Sequence, residues 1–223
     1  MEIKGVKIEF LGHAGFLISN GDGRKIVIDP YNVSGNIDKA DLILITHSHF
    51  DHCSIKDMTK LAKPGTIIVI PADAQSKITK IEGVEMQIAE VGDSLEFGKI
   101  KIEAVPAYNV DKDFHPKREG WLGYVVKIND VIVYHAGDSD FIPEMKKLTG
   151  YGKHGVEFVV LLPVSGKYVM DAEEAAEAAS LINPNLAIPM HYGAGVAGTE
   201  ADAEKFVELC KELGLKAEIL EKI

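Results

Sequence analysis

His47-Ser48-His49-Phe50-Asp51-His52 is the most informative stretch of this chain, because it holds four potential metal ligands within six residues. His47 and His49 lie two positions apart, so an extended segment can direct both imidazoles toward one ion. Asp51 and His52 are adjacent, and their diverging side chains can serve a second ion. Imidazole and carboxylate suit Zn²⁺, Mn²⁺ or iron. Composition alone rarely produces such a cluster, so the stretch predicts a metal site rather than a chance group of histidines on a polar loop.

A predicted strand precedes this motif and a predicted helix follows it, which keeps the ligand loop short. The apolar run at residues 42–45 indicates the strand. Ser54 with Asp57 three residues later resembles a capping box, and it begins a helix that ends before Pro64.

Short apolar runs predict further strands along the whole chain. They cover residues 7–10, 15–19, 25–28, 66–70, 100–105, 122–128, 131–134, 157–162 and 187–190. Asn129-Asp130 between two of them predicts a hairpin turn. Two more helices are predicted, one from Asp171 and Glu174 to about Asn183-Pro184, and one from Thr199 and Asp202 to Gly214. The segment after His191 has room for one helix and one strand.

The two halves of the chain echo each other. In the first half one strand leads to Asp29, and in the second a strand ending near Tyr134 leads to Asp138. In each half a second apolar strand follows and ends on a loop, at residues 42–45 and at residues 158–162. This pattern predicts two similar halves packed sheet to sheet with helices outside. No linker or low-complexity stretch interrupts the chain, so we expect one domain over residues 1–223.

Composition narrows the class of protein. The net charge of −10 disfavours broad nucleic-acid binding, which depends on neutralising phosphates. The longest apolar runs, such as residues 158–162, fall far short of the roughly 18–20 residues that span a bilayer. The N-terminus lacks the apolar segment of a signal peptide. We therefore expect a cytoplasmic protein that binds a small-molecule substrate and has no membrane or nucleic-acid partner. The sequence does not decide between a monomer and a homo-oligomer.

Several motifs together resemble the metallo-β-lactamase superfamily. Besides the motif at 47–52, Gly12-His13-Ala14, Asp29, Gly137-Asp138-Ser139 and Pro189-Met190-His191-Tyr192 occur in the order of that family and cover nearly the whole chain. The phrases at 11–14 and 134–139 are most similar to a branch of small metal-dependent hydrolases that includes ascorbate-6-phosphate lactonase. The resemblance implies an α/β fold, a four-layer αββα sandwich of two mixed β-sheets flanked by helices, with metals at one edge.

The resemblance also implies two divalent metal ions, with zinc as the first choice and manganese or iron as alternatives. Their ligands would be His47 and His49 for the first ion, Asp51, His52 and His191 for the second, and Asp138 as the bridge between both. Asp29 would fix the tautomer of a ligating imidazole from behind.

The third ligand of the first ion departs from the family pattern. The family often has a histidine after the strand that corresponds to residues 100–105, where this chain reads Pro106-Ala107-Tyr108-Asn109. His115 is the preferred candidate. An oxygen of Asn109, or a position filled by water, are the alternatives.

The expected chemistry is hydrolysis of an ester, lactone or phosphoester bond of a small substrate. Two metals about 3.5–4 Å apart can hold a bridging hydroxide that acts as the nucleophile. Asp51 and Asp138 would act through the metals, and His13 would either donate a hydrogen bond in the substrate pocket or serve a structural role.

The long 106–121 loop carries Lys112, Lys117 and Arg118, and Lys167 follows later. These side chains could receive an anionic group of the substrate, although a solvated surface cluster is the simpler interpretation. Two rival functions stay open: a non-catalytic metal-binding or sensor protein, and a di-iron redox protein.

Overall fold

Two mixed β-sheets form the body of the computed structural model, which describes residues 1–223. In spatial order, the first sheet contains β1 (Glu2–Ile3), β2 (Val6–Gly12), β3 (Gly15–Asn20), β4 (Lys25–Ile28), β5 (Leu42–Leu44), β6 (Ile67–Ile70) and β7 (Glu85–Ile88). The second contains β13 (Leu186–Met190), β12 (Glu157–Pro163), β11 (Val131–His135), β10 (Leu122–Ile128), β9 (Ile100–Pro106) and β8 (Ser94–Phe97). Strands β1–β4 and β8–β11 pair antiparallel, and strands β4–β7 and β11–β13 pair parallel. Each sheet is therefore built from one half of the chain, as predicted.

The predicted helices form, and their caps are the ones expected. They are α1 (Ile55–Leu61), α3 (Ala172–Ile182) and α4 (Glu200–Glu212), and a short helix that was not predicted, α2 (Gln75–Ile78), lies between the first two. Ser54 accepts a hydrogen bond from the backbone N–H of Asp57, and Asp171 with Glu174 forms a reciprocal capping box. These bonds satisfy N–H groups that the first helical turn leaves without partners.

Alternation along the strands separates the layers. Phe16 and Ile18 on β3 point into the large core between the sheets, whereas Leu17 between them belongs to a smaller core under α1 with Met58. On the far side, α3 and α4 pack against each other and against the second sheet. The order of layers is therefore helices, sheet, sheet, helices, which confirms the four-layer αββα sandwich.

Three hydrogen bonds tie the second sheet to the loops that leave the first. The Tyr124 hydroxyl donates to the Ile45 carbonyl at 2.8 Å, and the Leu122 N–H donates to the Thr46 carbonyl at 3.0 Å. His135 Nε2 lies 2.8 Å from the Ala14 carbonyl oxygen. The first two contacts fix the backbone immediately before the His47 motif against β10, and the third fixes the turn at Ala14 against β11.

The structure also contains strands that the sequence pattern did not predict. β1, β7 and β8 lie at or near sheet edges and are short and largely exposed, so they carry no apolar run. The strand expected after α4 does not form; Ala217 and Lys222 instead make isolated bridges to Ala187 and Phe10, one in each sheet. No helix combines the length and the apolar character required to cross a membrane.

Candidate metal centre

Eight imidazole and carboxylate side chains converge where loops leave the two sheets. They are His13, His47, His49, Asp51, His52, His115, Asp138 and His191. Six of the eight histidines of the chain are in this cluster. Since every residue expected to bind metal from the sequence lies here, the structure brings together segments up to 178 positions apart (residues 13 and 191).

His47, His49 and His115 form the first group of ligand atoms, which lie within 4.8 Å of one another. His47 Nε2 is 3.1 Å from His49 Nδ1. Asp138 Oδ2 lies 3.2 Å from His115 Nε2 and 3.8 Å from His47 Nε2. His115 is therefore the third histidine of this group, at the place where the sequence favoured it over Asn109.

Asn109 lies behind His115 rather than beside it. Its Oδ1 accepts a hydrogen bond from the His115 backbone N–H at 2.9 Å and lies 3.1 Å from His115 Nδ1. Its Nδ2 donates to Asp140 and to the Tyr168 carbonyl. With Nδ1 directed at oxygen acceptors, the lone pair of His115 is left on Nε2, which faces the cluster.

His13, Asp51, His52 and His191 form the second group, again within 4.8 Å. His52 Nε2 lies 3.2 Å from Asp138 Oδ1, and His191 Nε2 lies 3.1 Å from Asp138 Oδ2. The Asp138 carboxylate thus contacts both groups. His13 Nε2 lies 2.9 Å from Asp51 Oδ2, so the structure places His13 within the ligand group itself.

Polar side chains behind the ligands orient the imidazole rings. Asp29 Oδ2 lies 2.8 Å from His52 Nδ1, and Asp29 also accepts hydrogen bonds from the backbone and hydroxyl of Thr46. Thr46 Oγ1 is 3.0 Å from His47 Nδ1, and Ser165 Oγ is 2.9 Å from His191 Nδ1. Asp29 has the position that the sequence predicted; Thr46 and Ser165 add support that no motif indicated.

Three residues of this centre have left-handed backbone conformations although none is glycine. The φ angles are 57° for His13, 43° for Asp29 and 63° for His191. The His191 N–H donates to the His13 carbonyl at 2.7 Å, which joins the two turns. Such conformations are uncommon outside glycine, so the surrounding bonds hold these residues in place.

The atoms that face the centre are the ones left without partners. The Nε2 atoms of His52, His115 and His191, together with Asp138 Oδ1, are buried and make no hydrogen bond. An unsatisfied buried polar atom destabilises a protein by about 1–3 kcal/mol. Imidazole lone pairs around a carboxylate are the donor set that zinc, manganese and iron prefer, so these residues fit divalent metal ions.

A family model described as "Beta-lactamase superfamily domain" matches residues 7–191. The chain belongs to the metallo-β-lactamase superfamily. Within it, the chain is 35% identical to a UPF0173 metal-dependent hydrolase of Koribacter versatilis, over 94% of this chain and 95% of the relative. It is 36% identical to a UPF0173 metal-dependent hydrolase of Pyrococcus horikoshii, over 96% and 95%.

Solved structures of the superfamily share the fold. The crystal structure of a metal-dependent hydrolase from Parabacteroides distasonis superposes with a TM-score of 0.81 at 30% identity, over 97% of this chain and 94% of that chain. A metallo hydrolase of Ignicoccus hospitalis gives a TM-score of 0.73 at 26% identity, over 97% and 95%.

Burial and charge set the protonation of this superfamily site. Burial lowers the pKa of His47 and His49, and lowers that of His13 to about 4. Burial also acts to lower the pKa of His52, but Asp138 and Asp29 outweigh it and hold that pKa well above its usual value. For Asp138 burial acts to raise the pKa, but the neighbouring imidazoles outweigh it and the pKa lies well below normal. Without metal, His52 therefore carries a proton between two carboxylates.

Trp121 is a part of the site that sequence reasoning missed. Its ring centroid lies 5.0 Å from that of His47, 4.8 Å from His49 and 5.5 Å from His115, and its indole N–H donates to Asp73. Trp121 therefore forms an aromatic wall behind the first group. It follows a loop without regular pattern, so no sequence signal indicated this role.

The basic residues considered for an anionic group are mostly paired. Lys112 lies 2.6 Å from Asp140, Lys117 lies 2.8 Å from Glu144, and Arg118 lies 3.5 Å from Glu119. Lys167 alone of the four has no carboxylate within ion-pair distance and lies over the Tyr168 ring.

Proposed function

We propose that this protein is a hydrolase that uses two divalent metal ions, zinc first among them, to cleave an ester, lactone or phosphoester bond of a small substrate. The observation that carries the proposal is the Asp138 carboxylate, which lies within 3.2 Å of the Nε2 atoms of His115 in the first group and of His52 and His191 in the second. These three buried nitrogens make no hydrogen bond. The relatives named as metal-dependent hydrolases support the same class of reaction.

The protein ligands divide between the two ions. His47, His49 and His115 would hold the first, and Asp51, His52 and His191 the second, with Asp138 shared. When bound, such ions supply a hydroxide nucleophile at neutral pH and polarise the oxygen of the bond under attack.

His13 is better suited to holding Asp51 than to donating a proton. Its Nε2 is engaged with Asp51 at 2.9 Å, and its buried Nδ1 has no hydrogen-bond partner. Burial lowers its pKa to about 4, so the ring is neutral at pH 7 and Nδ1 offers a lone pair. We therefore assign His13 to orienting Asp51 and to accepting a proton or metal at Nδ1.

Aromatic side chains beside the ligands favour a substrate with an apolar portion. Phe50, between His49 and Asp51, is 64% exposed, and Phe114, next to His115, is 49% exposed. Tyr31 packs edge-on against Phe50, and Tyr168 against Phe114. Exposed aromatic rings next to a polar centre are typical of ligand pockets.

The charge of the protein indicates what kind of substrate and partner it accepts. Lys167 is the residue that would receive an anionic group of the substrate, because it lacks a carboxylate partner. A small molecule in the cytoplasm, rather than nucleic acid or a membrane, is the partner that suits the net charge of −10.

The test combines metal content with turnover. The purified protein loaded with zinc or manganese is expected to hold two ions per chain and to hydrolyse at least one of 4-nitrophenyl acetate, γ-nonalactone and bis(4-nitrophenyl) phosphate. Asp138→Asn keeps the shape and removes the charge, and it should reduce turnover more than ~100-fold, since changes even behind a metal ligand cost 10–100-fold.

The matched control is His154→Asn, which alters an exposed histidine outside the cluster. His154 has a φ of 57°, which asparagine tolerates well, so metal content and turnover should be unchanged. Full loading without turnover on any probe would contradict the hydrolase and favour a non-catalytic metal-binding protein. One ion per chain would contradict the two-metal site.

A further inference from the structure

A cavity of about 610 Å³ lies on the outer face of the second sheet, and none of the eight clustered metal-ligand candidates lines it. Pockets that bury small organic ligands typically have volumes of about 300–1,000 Å³. The floor of this cavity is formed by β9 and β11, and the helical turns at residues 143–148 border it. Its size therefore suits a small molecule rather than a few waters.

The alternation of the strands explains why side chains point into this cavity. His135 on β11 faces the first sheet, where it contacts the Ala14 carbonyl, so Tyr134 faces the opposite side. Glu103 on β9 shares that outer face, because it and Tyr134 pair with the same residue, Val125 on β10. Val105, two positions after Glu103, also points outward.

The Tyr134 hydroxyl is the feature that indicates a ligand. The side chain is 1% exposed and lines the cavity, yet its hydroxyl makes no hydrogen bond within the protein. The other two tyrosines of this cavity are satisfied, since Tyr108 donates to Glu144 and Tyr151 to Glu103. Since the Tyr134 hydroxyl is not fully enclosed by protein atoms, it can donate a hydrogen bond to an acceptor that occupies the cavity.

The charged residues at the edge of the cavity balance in sign, since Asp93 and Lys147, which also line it and form no ion pair, carry opposite charges. Glu144 pairs with Lys117, and Glu103 pairs with Lys127. The surfaces left for an occupant are apolar and aromatic, chiefly Trp121, Met145 and Leu148. This lining disfavours a charged ligand and favours a neutral one.

We infer that this cavity is a second small-molecule site, which binds a neutral molecule with an aromatic or branched aliphatic body and one oxygen that accepts a hydrogen bond from Tyr134. The site is separate from the proposed hydrolytic centre, and its occupant need not be a substrate. Trp121 forms a wall common to both, because it lines the cavity and packs on His47, His49 and His115.

Trp121 also provides the measurement, because it is the only tryptophan of the chain. Its fluorescence should change saturably when the full-length protein is titrated with 4-phenylbutan-1-ol. The matched probe n-butylbenzene has a similar body without the hydroxyl. The alcohol should bind ~3- to 10-fold more tightly, as expected for one additional hydrogen bond.

Two variants test the site directly. Tyr134→Phe should abolish the preference for the alcohol while both probes still bind. Val105→Phe fills the cavity and should abolish binding of both, whereas Ile132→Phe, on the same face but outside the cavity, should leave binding unchanged.

The outcome is independent of hydrolysis. Asp138→Asn, which tests the proposed function, should bind the alcohol like the unaltered protein. Absence of saturable binding in both metal-loaded and metal-depleted protein would overturn the inference. So would an alcohol preference that survives in Tyr134→Phe.

Discussion

Asp138 and His52 determine the charge of the centre when no metal is bound. The proton on His52 lies between the carboxylates of Asp138 and Asp29, and it offsets part of the negative charge that a metal would otherwise neutralise. His13, His47 and His49 are already neutral and ready to bind, because burial lowers their pKa values. A metal ion therefore competes with a proton on His52.

We predict that loading the metal-free protein with zinc at pH 7 releases about one proton from His52. The raised pKa of His52 means that this release is present at and below neutral pH and declines as pH rises through that pKa. Calorimetric titration in buffers of different ionisation enthalpy measures the number directly. An apparent binding enthalpy independent of the buffer at pH 7 would contradict the assignment.

The residues behind the imidazoles should act on one metal each. We expect Asn109→Ala to weaken binding of the first ion ~10- to 100-fold, because His115 loses the acceptor that orients it. Ser165→Ala should weaken the second ion through His191 and leave the first unchanged. Each variant is the control for the other in a competition titration with a metal-binding dye, and equal loss of both ions in either variant would refute the division.

The sequence predicted which imidazoles and carboxylates cluster better than it predicted the residues that contact them from behind. The ligands at 47–52 are adjacent in the chain, and Asp138 and His191 follow strands in the family order, so their convergence could be expected. The Asn109–His115 contact and the position of Trp121 depend on the path of the irregular 106–121 loop, which no periodicity encodes. The family pattern predicted that His13 lies near the metals. No sequence pattern indicated its contact with Asp51, which is 38 positions away in the chain.

At the scale of elements, the residues of the metal centre lie just after the ends of strands. Asp29 follows β4, His47 follows β5, Asp138 follows β11 and His191 follows β13. A short turn after β11 aims Asp138 at the cluster. Gly137 makes this turn possible, since its φ is 63° and an added Cβ would lie 2.5 Å from the Leu122 carbonyl oxygen.

We predict that Gly137→Ala destabilises the protein by more than ~1 kcal/mol and lowers metal content, because the backbone of β10 cannot yield. Gly21→Ala is the matched control, since an added Cβ there meets no atom within 4 Å. Its effect should stay within about 0.5 kcal/mol. Urea denaturation with metal analysis checks both, and equal stability of the two variants would contradict the role of the turn.

Prediction of elements succeeded where one face is buried and failed at edges. The central strands carry apolar runs. The helices are predictable because Ser54, Asp171 and Thr199 are N-cap residues at their starts. Strand β7 reads Glu-Met-Gln-Ile and is mostly exposed, so only pairing with β6 defines it. The segment after α4 was expected to form a strand, but it makes only one isolated bridge to each sheet.

At the scale of the whole molecule, the metal centre joins two halves that are otherwise held by apolar packing. The first group takes His47 and His49 from the first half and His115 from the second, while Asp138 and His191 extend the second half toward the first. Ions bound by these residues would therefore link both sheets. A ligand that binds only the folded state stabilises it according to its concentration relative to Kd.

We predict that removing metal with EDTA lowers the Tm by about 5–10 °C, which corresponds to roughly 2.7 kcal/mol lost from a site held at 100 times its Kd. Differential scanning calorimetry of loaded and stripped protein measures the shift. His154→Asn should show the same shift and Asp138→Asn a much smaller one. An unchanged Tm on stripping would show that the ions do not link the sheets.

The left-handed turns at His13, Asp29 and His191 have a consequence for protein engineering. Each holds a side chain where glycine or asparagine would be more relaxed, at roughly 1–3 kcal/mol per residue. A thermostability screen run on metal-free protein would gain nothing from the metal centre, and it would accept glycine at these positions and discard the centre along with the strain. Directed evolution of this scaffold therefore has to select on metal retention at every round, or its most stable descendants will be inert.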